Sequence, residues 1–208
     1  KGAMIALQNL NATNKDLGTV QNRINTGQKI ANAKDNGAIW AIAQNQRAES
    51  TSLNAVVSSL QRGQSVADVA MSAGTAISDI LVQMKEKVLA ATEAGLSTAS
   101  KSALSDEYKA LRDQIDTIAN NATFDGVNLI SSTSVNSASI KAIANADATA
   151  TIDIAHVVLS KSNTKIAATL STLTGTVHSA AVKAIEDAVQ AVSSALAQLG
   201  TTAPALAT

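Results

Sequence analysis

The sequence predicts a mainly α protein: a rod-like antiparallel bundle or coiled coil of long helices, with a β-turn or hairpin and a small β-rich insertion. Two long stretches place apolar or small residues at alternating spacings of three and four. The 208 residues include only one Phe, one Trp and one Tyr, so alanine and aliphatic residues must fill the core. Alanine favours helices, and the single proline, Pro204, could interrupt a helix only near the end of the chain.

The first predicted helix runs up to Gly27. Its apolar positions recur at helical spacing and are Leu7, Leu10, Leu17 and Ile24. A polar run from Asn32 to Gly37 then interrupts the period and predicts a structured connector. The only tryptophan, Trp40, follows beside Ile39 and Ile42, and we expect it to be buried.

The strongest periodicity predicts one long helix over Leu53 to Ala91. Its seam carries no charged residue and consists of Leu53, Val56, Leu60, Gly63, Ala67, Ala70, Gly74, Ile77, Leu81, Met84, Val88 and Ala91. A sustained repeat of about 3.5 residues is typical of a left-handed supercoil, so we expect a partner helix alongside. The glycines indicate close approach, and Gly95 is expected to end the helix in a left-handed cap.

A second seam follows the polar segment Ser97 to Ser102, and this short connection predicts an antiparallel neighbour. The second seam consists of Leu104, Tyr108, Leu111, Ile115, Ile118 and Ala122. Beyond it, Asp125 and Gly126 lie between strand-favouring residues, a signal for a tight hairpin turn with short strands.

The segment 131–175 is rich in Ser, Thr, Ala and Asn and alternates in places, which predicts a weakly specified β-rich insertion. The helical period then returns, at Val182, Ile185, Val189, Val192, Leu196 and Leu199. The predicted organisation is an N-terminal helix and connector at 1–43, a helical core rod at 44–130 and 176–200, the outer insertion at 131–175, and a tail at 201–208.

The residues offer little chemistry. Lys plus Arg and Asp plus Glu each number 16 and are scattered, so no nucleic-acid or membrane partner is predicted. There is no cysteine, and His156 and His178 lack neighbours at metal-ligand spacing. Adjacent acidic pairs diverge on a helix. We therefore predict no catalytic site, no metal and no cofactor, and expect an assembly protein rather than an enzyme.

Two stretches carry a family resemblance. RINTGQKIANAKDNGAIWAIA, at 23–43, resembles the N-terminal signature of bacterial flagellins, especially those of the alphaproteobacterial, Caulobacter-like kind. LRDQIDTIANNATFDGVNLI, at 111–130, resembles the family's helix that ends in a Phe-Asn-Gly or Phe-Asp-Gly turn. The two motifs occur in the family's order, and the match spans about residues 2 to 130.

The resemblance implies a subunit of the flagellar filament that self-assembles outside the cell after export by the flagellar type III system. It also implies other flagellin subunits, an export chaperone and a cap protein as partners. Candidate assembly and connector residues are Arg23, Gly27, Asn32, Lys34 and Asp35. Candidate rod-packing residues are Leu53, Leu60, Gly63, Gly74, Ile77, Leu81, Leu111, Ile115 and Phe124.

Two departures from the family pattern carry expectations. Family members continue past the equivalent of Leu199 into a long C-terminal helix that lines the inner tube, whereas this chain ends at Thr208. We expect a truncated chain that polymerises poorly alone. Met84 and Glu86 also replace arginines of the stretch that contacts the host Toll-like flagellin receptor, so weak binding is expected. The candidate outer-face residues there are Gln83, Lys85, Glu86 and Lys87.

Other functions remain open alternatives. A hook-filament junction protein shares the terminal helical pattern, although the FDGVNLI turn favours a filament subunit. The insertion could make the chain an adhesin or carry O-linked glycans. Some family members carry a zinc protease with an HExxH motif in the insertion, but Val157 and Val158 follow His156 here, so that motif is absent.

Overall fold

A computed structural model of the chain describes residues 1–132, 139–160, 163 and 178–206. Within those ranges the helices are α1 (Gly2–Thr26), α2 (Gly37–Ala91), α3 (Thr98–Asn121) and α4 (His178–Leu206), and the strands are β1 (Ile140–Ile143) and β2 (Thr151–Ile154). The predicted mainly α fold with a small β element is confirmed. The chain forms two compact units, Lys1–Asn54 and Ala55–Thr208.

In the first unit, α1 ends where the sequence predicts. Gly27 adopts a left-handed conformation (φ 65°, ψ 9°), which suits a residue without a Cβ. The connector that follows is organised by short polar side chains. Oδ2 of Asp35 accepts hydrogen bonds from the backbone N–H groups of Ala31 and Asn32, at 3.0 and 3.3 Å. Oδ1 of Asn36 then accepts from the N–H of Ile39 at 3.1 Å and caps α2.

The second unit is built around α2, whose predicted seam is buried at every position except Leu53 and Leu60. Val66 and Ile80 are buried as well. An 18-residue window of α2 has a mean hydropathy of 1.3, which a membrane-crossing helix also reaches. Because its seam lies in the hydrophobic core of the unit, α2 is here a core helix.

α4 runs antiparallel to α2. Three contacts between them show this: Lys85 with Glu186, the α-carbon region of Gly74 with Leu196, and that of Gly63 with Leu206. The α2 numbers fall as the α4 numbers rise, and the sum of the two numbers stays nearly constant. α3 is antiparallel to α2 as well, since Lys87 pairs with Glu107 while Ala73 shares a groove with Ala122.

The predicted end of α2 at Gly95 is wrong, because the helix ends at Ala91. The N–H and Oγ1 of Thr92 both bond to the carbonyl of Leu89, at 3.0 and 2.5 Å, and tighten the last turn. Gly95 does have a positive φ of 98°, but within the turn that follows. The polar segment Ser97 to Ser102, predicted as a connection, already belongs to the start of α3. Oγ of Ser97 caps this helix by accepting a hydrogen bond from the N–H of Ser100 at 3.1 Å.

The tight turn after α3 is confirmed. Asp125 (φ 49°) and Gly126 (φ 74°) occupy its two central positions with positive φ, as a type I′ turn requires. Phe124 and Val127 exchange both backbone hydrogen bonds, at 2.9 and 3.0 Å. The flanking strands are limited to this single bridge.

Part of the predicted β-rich insertion is an antiparallel hairpin of β1 and β2, with Ile140 opposite Ile154 and Ile143 opposite Thr151. The rest of that prediction, at 133–138, 161–162 and 164–175, lies outside the described residues. In the predicted tail at 201–208, α4 continues through Pro204 to Leu206. Leu206 is buried next to Gly63 of α2, and this packing stabilises the helix beyond Gly200.

Candidate assembly surfaces

α1 carries an apolar face that nothing in the described chain covers. None of its residues is buried, and Met4 and Ile24 are 78% and 74% exposed. The other large apolar residues exposed on it are Ile5, Leu7, Leu10, Leu17 and Val20. An amphipathic helix gains most of its stability by burying such a stripe. α1 is therefore a surface that requires a partner.

The exposed apolar surface of the first unit continues at the start of α2. Ile39 is 50% exposed and Ile42 57% exposed. Trp40, which the sequence predicts to be buried, is only half-buried and lines a small cavity of about 70 Å³ with Ile30 and Arg47. This part of the chain combines aromatic and branched side chains with incomplete burial, which is typical of an association surface.

The candidate connector residues fall into two groups. Gly27, Asn32 and Asp35 shape the backbone: Asn32 Oδ1 accepts from the N–H of Lys34 at 2.9 Å, and the other two act as described above. Arg23 lies in the last turn of α1, and Lys34 is exposed. Within the described residues neither cation forms an ion pair, so both remain available to a partner.

The candidate rod-packing residues differ widely in burial. Ile77, Leu81 and Ile115 are fully buried, and Leu60 and Leu111 are partly buried against the same core. Leu53 and Phe124, in contrast, are 49% and 39% exposed and do not belong to it. Leu53 lies in the first unit and Phe124 begins the tight turn, where the core does not reach.

The two glycines of the seam mark close approaches. A Cβ added at Gly74 would lie 2.7 Å from Cδ2 of Leu196 on α4. One added at Gly63 would lie 3.1 Å from Cδ1 of Ile154 and 3.3 Å from Cβ of Ala142 on the hairpin. A side chain at Gly74 would require the Leu196 side chain to move, and one at Gly63 would press on the hairpin, where the Cβ of Ala142 moves only with its backbone.

Of the outer-face candidates on α2, two are engaged within the chain. Nζ of Lys85 lies 2.8 Å from Oε1 of Glu186 on α4, and Nζ of Lys87 lies 2.6 Å from Oε2 of Glu107 on α3. Gln83 and Glu86 are exposed. Lysines two apart on a helix point to opposite sides, so each one reaches a different neighbouring helix.

Sequence reasoning missed an open groove between α2 and α3, with a volume of about 560 Å³. Its lining residues are Asp68, Val69, Ser72, Ala73 and Ala76 of α2, Thr117, Ile118 and Asn121 of α3, and Ala122 directly after α3. A heptad pattern predicts which side of each helix faces the core, but not where two helices leave a gap on the outside. The small side chains of Ala73, Ala76 and Ala122 are the one sequence feature that is consistent with a gap between the helices.

The described residues bring no group of three or more metal-ligating side chains together. Nε2 of His156 lies 2.8 Å from the carbonyl oxygen of Ser131, a contact that holds the segment after β2 against the segment after α3. The side chain of His178 lies outside the described residues. The candidate sites in the described residues are therefore surfaces for packing against other helices.

Comparison with known proteins identifies the family. The profile of the bacterial flagellin N-terminal helical region matches residues 2–135. The chain is 48% identical over 214 aligned residues to Flagellin FljK of Caulobacter vibrioides, covering 100% of this chain and 74% of that protein. It is 36% identical over 126 residues to Flagellin C of Rhizobium meliloti, covering 61% of this chain and 38% of that protein.

A solved structure shows the same fold. The crystal structure of Bacillus cereus flagellin superposes with a TM-score of 0.62 at 23% sequence identity, covering 71% of this chain and 83% of that one. The profile match extends over more than half of the chain, and the FljK alignment spans all of it. This chain is a member of the bacterial flagellin family.

Proposed function

We propose that this flagellin is a structural subunit of the flagellar filament, which polymerises with other flagellin subunits through its helical surfaces and so serves swimming motility. Flagellin homologues form extracellular flagellar filaments, and the family is structural. The observation that carries the proposal is α1, a 25-residue helix with no buried residue and seven large exposed apolar side chains.

The energetics of that face favour association. Burying one large aliphatic side chain contributes about 1.5–3 kcal/mol relative to leaving it exposed. Several such residues on one helix can therefore offset the loss of translational and rotational freedom that association costs. The side chains also recur on a helical period, so the surface that covers them is best supplied by another helix.

The proposal includes no catalytic activity and no cofactor, in keeping with a family of structural proteins. It also includes export by the flagellar type III system, and an export chaperone and a cap protein as partners. Membership of the flagellin family supports these parts of the proposal. Binding to the host Toll-like receptor is proposed to be weak, because Lys85 and Lys87 are engaged with Glu186 and Glu107 and the exposed Glu86 adds negative charge.

The test is incorporation into filaments. The chain is mixed with sheared filaments of a related flagellin, and the protein that sediments with them is measured. We expect Leu10→Asp combined with Leu17→Asp to abolish incorporation, because two charges then lie on the apolar face. The matched control is Asn11→Asp with Asn22→Asp, two exposed polar positions of the same helix, and it should incorporate normally.

Absence of the unaltered chain from the sedimented filaments would contradict the proposal. Equal incorporation of the Leu10→Asp, Leu17→Asp variant would instead show that α1 is not the surface that assembly uses.

A further inference from the structure

We propose that the groove between α2 and α3 is the docking site for residues 28–47 of a second copy of the chain, which we call the connector knob. The proposal rests on the proposed function and names one contact by which copies join. Aspartates lie at the groove, and the connector knob carries exposed lysines and an arginine.

The groove is apolar in its floor and acidic around it. Val69, Ala73 and Ala76 face Ile118 and Ala122 across the gap. Asp68 lines the groove, and Asp79 and Asp113 lie just beyond its lining residues on α2 and α3. The stretches 68–79 and 113–122 contain no Lys or Arg. Asp79 follows Asp68 by eleven residues, three helical turns, and so lies on the same side of α2.

Within the described residues, Asp68 and Asp79 form no ion pair. Asp113 is close only to Arg112, at 3.8 Å, and its side chain is 65% exposed. A groove of this kind favours a ligand with an apolar tip and positive charge on either side.

The connector knob has that composition. Lys29, Lys34 and Arg47 are exposed, and in the described part of the chain no carboxylate pairs with them. Its one acidic residue, Asp35, is occupied with two backbone N–H groups. Ile39 is 50% exposed, and like Ile42 it offers a branched apolar side chain for the groove floor.

The contact is heterologous, since the knob of one copy meets a different surface on the next. A heterologous contact that does not close into a ring repeats without limit and produces an open helical polymer. An acidic groove and a basic knob on the same chain also disfavour groove-to-groove and knob-to-knob encounters through like-charge repulsion. Charge thus supports both the polarity and the propagation of the assembly.

Zero-length cross-linking tests the contact. Equal amounts of isotope-labelled and unlabelled chain are treated with a carbodiimide, which joins a lysine amine to a carboxylate, both in concentrated solution and in pellets with filament seeds. We expect mixed-label cross-links between Lys29 or Lys34 and Asp68 or Asp79. Reversing both aspartates (Asp68→Lys, Asp79→Lys) removes the carboxylates that the cross-link needs, so this variant is tested without the carbodiimide. The amount of it that sediments with the filament seeds should fall about tenfold, as expected when close charge pairs become repulsive.

A charge-swap mixture sharpens the test. Copies with reversed aspartates, mixed with copies carrying Lys29→Glu and Lys34→Glu, should regain association that neither variant shows alone. The control Asp147→Lys, in the exposed loop of the hairpin, should behave like the unaltered chain. All these positions are exposed, so circular dichroism should show unchanged helix content.

The outcomes separate this inference from the proposed function. Pellets that form without mixed-label cross-links between the two stretches overturn the groove contact and leave the filament role intact. Cross-links in solution without incorporation into filaments support the contact and contradict the filament role. If neither cross-links nor incorporation into filaments is found, the groove contact and the filament role are both overturned. If the charge-swap mixture does not regain association, the groove contact alone is overturned.

Discussion

At the scale of single residues, Asn128 occupies a buried position that no sequence pattern predicts. It is completely buried, and its side-chain amide uses both ends. Nδ2 donates to the carbonyls of Ala119 and Asn120, at 2.7 and 3.3 Å, at the C-terminal end of α3. Oδ1 accepts from the N–H groups of Ile130 and Ser131, at 2.8 and 2.9 Å. One residue thus caps a helix and fixes the chain beyond the tight turn.

We predict that Asn128→Ala lowers the free energy of unfolding by about 2–4 kcal/mol, because it leaves several buried backbone groups without a partner at about 1–3 kcal/mol each, in part compensated by water. Denaturant unfolding followed by circular dichroism measures this. Asn121→Ala, an exposed asparagine seven residues earlier, is the matched control and should change the stability by less than about 0.5 kcal/mol. Equal effects of the two variants would show that the amide of Asn128 does not organise the segment.

At the scale of elements, α2 contacts the hairpin and α4 at Gly63, and the absence of a side chain there sets the distance between them. Cδ1 of Ile154 and Cβ of Ala142 would both lie within 3.3 Å of an added Cβ. Both neighbours are buried, and the Cβ of Ala142 cannot move without its backbone. The hairpin is further attached to α2 by the N–H of Ile143, which donates to Oγ of Ser59 at 3.0 Å.

We predict that Gly63→Val destabilises the second unit by about 1–3 kcal/mol, the usual cost of overpacking a core. Gly200→Val in α4 is the control, since nothing lies within 4 Å of an added Cβ there and valine has a slightly better helix propensity than glycine. The thermal midpoints of both variants decide the question. A Gly63→Val midpoint at or above that of the unaltered chain would mean that the hairpin moves away from α2 without cost.

At the scale of the whole molecule, the two compact units differ in how much they bury. α1 has no buried residue, whereas the second unit contains the hydrophobic core formed by α2, α3, α4 and the hairpin. Regions with few buried apolar contacts open locally at low free energy. The unassembled chain should therefore be much less stable locally in residues 1–54 than in the rest.

Limited proteolysis of the unassembled chain should first cut within residues 1–54 and leave a fragment that begins near Ala55. We expect this fragment to keep the thermal midpoint of the intact chain, because the core of the second unit is untouched. Incorporation into filaments should protect the same sites, since assembly covers α1. First cuts within α3, or within the α2 seam from Val56 onwards, would contradict this difference in local stability.

The sequence by itself determined the helical elements and the family. The seam of α2, the left-handed end of α1 at Gly27 and the type I′ turn at Asp125 and Gly126 are local patterns, and the physics that produces them acts over a few residues. The apolar stripe of α1 can also be predicted from the sequence, because the residues that form it recur at helical spacing.

Only the tertiary structure decided which surfaces those elements leave open. The extension of α4 to Leu206, the burial of Asn128 and the exposure of Phe124 depend on neighbours distant in sequence, which no local pattern encodes. The same holds for the groove between α2 and α3, since a gap is a property of two helices at a given separation. Periodicity predicts the inner side of each helix, and packing alone decides what the outer sides can bind.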